Sequence, residues 1–284
     1  MIVQHISAFT NGPRGGNPAG VVLCDALPDA GTMQAMAAEV GYSETAFVAS
    51  GGKGWRVRYF APEVEVDFCG HATIAVGAAL AKHEGPGTFA LQLNRAEITV
   101  DGYQSAESWG AAFLSPPTNS RDVSATVIDE ALALFGLGRS DLDDRIPPAI
   151  AHAGADHLVL ALRRHDDLKA MRYDLGKGRD LAGREGIVTF SLVFAETPQL
   201  FHARNPFPIG GVYEDPATGA AAAALAGYLR DLGWPHQGSI AVRQGEDMGI
   251  PCRLQAEIVP QQGAAVRVSG NVRFIRDGRI ANGE

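Results

Sequence analysis

Two runs of small apolar residues set the terms for any fold of this chain. Residues 67–83 read DFCGHATIAVGAALAKH, and from Ala72 to Ala81 the only polar side chain is that of Thr73. Residues 214–233, EDPATGAAAAALAGYLRDLG, repeat the order: an acid and a glycine at a turn, then alanines. A helix that is apolar nearly all round has no face to give to water and must be buried on every side. Each is therefore expected to be the axis of a sheet wrapped around it. An aromatic residue, a proline and acids precede both, in YFAPEVEVDFCG and PFPIGGVYEDPATG, and the two runs lie close to half a chain length apart. This reads as a weak duplication, two similar domains in one chain.

The rest of the composition narrows the class. A chain of 284 residues, 46% hydrophobic and 20% charged, has the make-up of a folded globular protein with one large or two medium domains. A net charge of −8, with no cluster of Lys and Arg, argues against nucleic acid or an anionic membrane as partner. The apolar run Ala217–Leu229 is shorter than the roughly 20 residues that span a bilayer. The N-terminal MIVQHISAFTNG has no basic stretch leading into an apolar one, so no secretory signal is expected. Cys24, Cys69 and Cys252 have neither disulfide-framework nor zinc spacing, and the expectation is a reduced, cytoplasmic protein without metal.

Period-2 alternation predicts strands at 56–60, 91–93, 97–100, 157–162, 239–245 and 265–275. Amphipathic helices are expected at 29–41, capped by Asp29, and at 127–136. The segment LSPPTNSRDVS, 114–124, reads as the domain linker.

The entrances of the two apolar helices carry the chemistry. The first N–H groups of a helix lack intrahelical partners and lie at the positive end of its dipole, so a buried helix start favours an anion. Candidates are Cys69, Gly70 and His71 at one mouth, and Glu214, Asp215, Thr218, Gly219 and Ala220 at the other. Glu44, in GYSETAFV, is a further acid beside an apolar run; a desolvated carboxylate there would be raised toward the operating pH, as a proton-transferring base requires. Each has a plainer reading. Glu44 also suits the start of a strand with its carboxylate solvated, Asp215 before Pro216 suits a helix N-cap, His71 suits a core or capping role, and Cys69 suits a small buried hydrophobe. GPRGGNP, 12–18, lacks the spacing of a nucleotide loop, while Asn17 remains available to point an amide into a pocket.

Taken together, GGNPAGVV (15–22), GYSETAFV (41–48), YFAPEVEVDFCGHAT (59–73), GVYEDPATGAAAAALAGYL (211–229), RQGEDMG (243–249) and VRVSGNVRF (266–274) resemble the PhzF family of phenazine-biosynthesis isomerase-like proteins, in family order along nearly the whole chain. The resemblance implies an α+β, diaminopimelate epimerase-like fold: two pseudo-symmetric domains, each a mixed β-sheet rolled around a central α-helix. The domains would be 1–117, with 268–284 returning to it, and 118–267, with the site in the cleft between them and a homodimer as the usual assembly. It also implies a cofactor-independent isomerase of the kind that acts on trans-2,3-dihydro-3-hydroxyanthranilate. Glu44 would move the proton, His71 and Asp215 would position and protonate the substrate, and Asn17, Gly70, Thr218, Gly219 and Ala220 would bind it. One departure stands out: Ala220 occupies a position where the family motif commonly has serine, so a hydroxyl near the substrate is missing.

Two other functions fit less well. A two-thiol epimerase or racemase needs a base on each face of the carbon, and Asp215 stands where the second thiol would be. A non-catalytic protein that binds a small carboxylate would keep the fold alone.

Overall fold

The computed structural model describes residues 1–52, 54–106 and 108–275. The chain divides into two compact units, one formed by Met1–Leu114 with residues 269–275, the other by Ser115–Val268.

The first unit contains β1 (Gln4–Ala8), β2 (Asn17–Cys24), α1 (Ala30–Val40), β3 (Thr45–Gly51), β4 (Gly54–Phe60), β5 (Glu65–Val66), α2 (Gly70–Glu84), β6 (Gly87–Gln92), β7 (Glu97–Gln104) and β8 (Trp109–Leu114). The second contains β9 (Asn119–Asp122), α3 (Ala125–Leu134), β10 (Ala149–His152), β11 (Asp156–Ala161), α4 (His165–Lys169), α5 (Leu175–Glu185), β12 (Thr189–Thr197), β13 (Leu200–Phe207), β14 (Val212–Asp215), α6 (Gly219–Asp231), β15 (Ser239–Gln244) and β16 (Cys252–Glu257), and β17 (Arg267–Ile275) then returns to the first.

In the first unit the pairings run β17, β1, β2, β3, β4, β6, β7, β8 and back to β17, so the sheet closes on itself around α2. β2 with β3 and β4 with β6 are parallel, while β1–β2, β3–β4 and β6–β7 are antiparallel. The second unit repeats this order. β11 with β12 and β13 with β15 are parallel; β10–β11, β12–β13 and β15–β16 are antiparallel; and α6 lies, like α2, between a short strand paired to its neighbour and the next parallel strand. The duplication read from the two alanine runs is thus a duplication of strand topology.

Both helices are made of small residues because the sheets come close to them. A Cβ on Gly77 of α2 would lie 2.5 Å from Val100 Cγ2 and 2.8 Å from Ala111 Cβ, and one on Gly102 of β7 would meet the Gly77 carbonyl oxygen. Gly227 of α6 is held as closely against Thr118, where a Cβ would lie 2.5 Å from the threonine Cβ. At such separations even one added methyl overpacks the interior. Ala72–Ala81 are all buried, as are Ala221–Arg230. No helix among the described residues is long and apolar enough to cross a membrane.

The segment 114–124 is more than a linker. It contains β9, paired antiparallel with β10, and ends in Ser124, whose side chain accepts from Val127 N to cap α3. Arg230 of α6, 8% exposed, donates to Thr118 Oγ1 at 2.9 Å and to the Ala264 carbonyl at 3.0 Å, tying the stretch to the core helix.

The second unit also buries a histidine. His157 on β11 is 1% exposed; its Nδ1 lies 2.8 Å from Thr189 Oγ1, and its Nε2 has no hydrogen-bond partner among the described residues. Burial depresses its pKa from 6.5 to about 4. The fold holds the neutral ring while the unfolded chain takes up a proton below pH 6.5, so this contribution is intact above that pH and is lost as pH falls toward 4. The wild-type chain is expected to lose about 2 kcal/mol from this group between pH 7.5 and 5. His157→Asn, which keeps a polar atom near Thr189, should show a correspondingly flatter acid dependence. Urea midpoints at the two pH values measure the difference, and parallel curves for the two proteins would refute it.

Candidate active site

Glu44 is delivered by the end of α1. Gly41 adopts the left-handed conformation (φ 70°) and its N–H bonds the Ala37 carbonyl, which stops the helix and turns the chain toward β3. The Glu44 carbonyl then accepts from Gly20 N at 3.1 Å, fixing its backbone against β2. Its side chain is 19% exposed, and Oε2 is shut off from solvent. Of the two readings left open by the sequence, the solvated one does not hold.

Oε2 lies 3.3 Å from Nε2 of His71, which is 6% exposed in the first turn of α2. The approach lacks hydrogen-bond geometry, so Oε2 accepts no hydrogen bond among the described residues. Ser43 Oγ is also 3.3 Å from Nε2, and Cys69 Sγ is 3.2 Å from Nδ1. The mouth is braced from beneath: the Cys69 carbonyl accepts from both Thr73 N (2.9 Å) and Thr73 Oγ1 (2.7 Å), and Thr73 Oγ1 lies 2.8 Å from the buried Tyr59 hydroxyl. Burial pushes the Tyr59 phenol well above its usual pKa, so it stays a neutral partner.

In the second unit, Asp215 is the last residue of β14 and not the helix cap suggested by its place before Pro216; the N-cap of α6 is Thr218. Thr218 Oγ1 donates to Asp215 Oδ2 at 2.7 Å. Gln244, 1% exposed at the end of β15, clamps both: its Nε2 donates to the Asp215 carbonyl (2.6 Å) and to Thr218 Oγ1 (3.0 Å), and its Oε1 accepts from Thr218 N (3.2 Å). Gly219 is buried behind the cap, and Ala220 is half-buried in the first helical turn. Glu214, counted among the mouth candidates, has a structural role: it forms a buried, bidentate ion pair with Arg204 of β13. Asn17 is the first residue of β2 and is 4% exposed, directly after the glycine turn. In that turn a Cβ on Gly16 (φ +87°) would lie 2.7 Å from Thr10 Cγ2.

A contrast between helices bears on the chemistry. Asp29, Ser124 and Asp174 cap α1, α3 and α5 with their side chains, while Cys69 and Thr218 make no such bond to α2 and α6. In both buried helices the cap residue leaves the first-turn N–H groups for another acceptor, a feature they share with the short α4 behind Arg164.

Gln244, Ser43 and the Tyr59–Thr73 brace were not singled out from the sequence. All sit inside or beside the motif segments, but as an alternating strand residue, a small loop residue and a core pair they carry no chemical signal of their own. Glu44, His71 and Cys69 converge in the first unit; Asp215, Thr218, Gly219 and Ala220 converge in the second.

A mixed sheet rolled around a buried helix, occurring twice with the same strand order, defines the diaminopimelate epimerase-like fold. Solved structures share it: a Bacillus anthracis phenazine biosynthesis protein of the PhzF family superposes with a TM-score of 0.85 at 22% identity, over 96% of both chains. A predicted epimerase from Pseudomonas aeruginosa gives 0.82 at 24%, again over 96% of both. An uncharacterized isomerase of Deinococcus radiodurans is 34% identical over 292 aligned positions, 96% of this chain and 92% of the relative. The profile of the phenazine biosynthesis-like proteins, PhzC-PhzF, matches residues 6–278; the chain belongs to this family, and it is an isomerase.

Proposed function

We propose that this isomerase moves a proton on a small cyclic or amino-acid-like carboxylate without a cofactor, with Glu44 as the group that removes and returns it. The observation that carries the reading is the state of Glu44 Oε2: enclosed, accepting no hydrogen bond among the described residues, and 3.3 Å from the buried His71 at an uncapped helix mouth. A carboxylate oxygen that accepts no hydrogen bond has its lone pair available for a substrate C–H, and the enclosure of that oxygen keeps competing water away from it. His71 Nε2, 3.3 Å from Glu44 Oε2, would orient the substrate or hand it a proton. The family motif gives Asp215 the positioning of the substrate, and the Gln244 clamp holds that residue still. Backbone N–H groups of Gly70 and Gly219 suit a substrate carboxylate.

The leading substrate type is trans-2,3-dihydro-3-hydroxyanthranilate, and Ala220 removes one contact to it, because a serine hydroxyl that would bond a polar group is replaced by methyl. In a buried site that loss is worth about 1–3 kcal/mol. Incubation of the protein with this compound in D2O, followed by ultraviolet spectroscopy and by NMR of the deuterium position, tests the reading. A spectral change with site-specific deuterium is expected. Deuterium exchange on other small carboxylates but none here would move the substrate and keep the mechanism, and no exchange on any would sink both.

A further inference from the structure

We propose that Glu44, Cys69 and His71 form a binding site for a thiophilic divalent cation, Zn2+ foremost, and that its occupancy silences the enzyme. A thiolate, an imidazole and a carboxylate are the donor set that zinc takes. One ligand atom from each of the three lies within 4.8 Å of the others. Tetrahedral zinc with Zn–N and Zn–O bonds of about 2.0–2.1 Å places nitrogen and oxygen about 3.3 Å apart, and a Zn–S bond of about 2.3 Å places sulfur and nitrogen about 3.6 Å apart. The corresponding separations are 3.3 Å from His71 Nε2 to Glu44 Oε2 and 3.9 Å from the same nitrogen to Cys69 Sγ. Capture of the ion therefore requires Cys69 Sγ to turn from Nδ1, now 3.2 Å away, toward Nε2.

Two further features favour the site. Glu44 Oε2 is enclosed and accepts no hydrogen bond among the described residues, so a cation would give this buried oxygen a direct partner. The ligands also stand on fixed backbone: the Glu44 carbonyl is bonded to Gly20, and the Cys69 carbonyl to Thr73 twice over. Three protein ligands leave a fourth position open. The ligands are far apart in sequence on one side, at 44 against 69 and 71, which is why cysteine spacing alone gives no zinc signal.

Binding needs no substrate and is tested without one. The full-length, reduced, chelator-stripped protein is titrated with Co2+, whose thiolate complexes absorb in the near ultraviolet. A charge-transfer band is expected that saturates at one equivalent and is displaced by Zn2+. Cys69→Ser should abolish the band, Glu44→Gln should weaken binding at least about tenfold, and Cys24→Ser should leave it unchanged. Absence of a saturable band, its survival in Cys69→Ser, or its loss in Cys24→Ser would overturn the site. The silencing rests on the proposed role of Glu44: Zn2+ should stop proton exchange and a chelator restore it. Cobalt binding through Cys69 without any effect of Zn2+ on exchange would uphold the site, overturn the silencing, and remove Glu44 from the chemistry.

Discussion

Replacing Glu44 by glutamine is expected to cut proton exchange between about 10² and 10⁴-fold while leaving the protein folded and no less stable. The amide keeps the size and shape of the side chain and the backbone bond from Gly20 to the Glu44 carbonyl, so β3 has no reason to shift. It removes the one property the reaction uses, a carboxylate that accepts a proton and gives it back. The stability side is as informative as the kinetic side. A buried carboxylate oxygen with no hydrogen-bond partner costs free energy in the resting protein, so its neutral replacement is expected to raise the urea midpoint slightly. Activity lost together with stability gained marks a residue kept for function; activity lost with stability would mark a structural one. Glu44→Asp separates chemistry from placement, since it retains the acid and draws it back by roughly one methylene. A misplacement of about 1 Å can cost about 10²-fold, so this variant should be impaired through kcat more than KM. Cys69→Ala should keep most of the exchange rate. A Gln variant that exchanges like wild type would transfer the proton-moving role to the Cys69 and His71 pair.

What the sequence made legible follows the range of the forces involved. The two central helices declare themselves because a run of alanine with one threonine has no polar face; the apolar stretch 72–81 lies inside α2, Gly70–Glu84, with Cys69, Gly70 and His71 at its start. Alternation places β4, β7, β11, β15 and β17, and Asp29 caps α1 as expected, accepting from Thr32 N at 3.0 Å. Helix α5 leaves little trace: LGKGRDLAGRE has three internal glycines and many charges, and it is held by the Asp174 cap, the left-handed Gly186 and the burial of Leu181 and Ala182. The parallel pairs are invisible locally, since β4 and β6 meet across an entire helix. Asp215 shows the same limit at the site. A local rule makes Asp-Pro a helix start, but Arg204 holds Glu214 and Gln244 holds Thr218, and these two residues, distant in sequence, keep Asp215 on a strand. Glu44 was ambiguous for a like reason, its anchor being Gly20 on another strand.

Arg204 therefore carries the second large effect. It is 6% exposed, Glu214 is 7% exposed, and the two are joined by Nε to Oε1 at 3.0 Å and Nη2 to Oε2 at 2.5 Å. Its remaining nitrogen donates to the carbonyls of Lys169 and Met171, at 3.1 and 3.4 Å, so one guanidinium closes the end of α4 and the β13–β14 pairing together. Arg204→Met leaves Glu214 charged and unpaired in the interior and is expected to cost about 3–5 kcal/mol, read as a lowered urea midpoint. Adding Glu214→Leu removes the stranded charge, and most of that loss should return, because an apolar pair of similar volume is often as stable as a buried ion pair. Recovery should not be complete, since the two carbonyls still lack their donor. The exchange rate then distinguishes why the pair is there. Glu214 is the neighbour of Asp215, and β14 has only four residues with which to keep its place, so the double variant should regain stability but not full turnover. A single Arg204→Met within about 1 kcal/mol of wild type would contradict the buried-pair argument. Full recovery of both stability and turnover in the double variant would mean that packing alone holds Asp215, with no need of the directed hydrogen bonds.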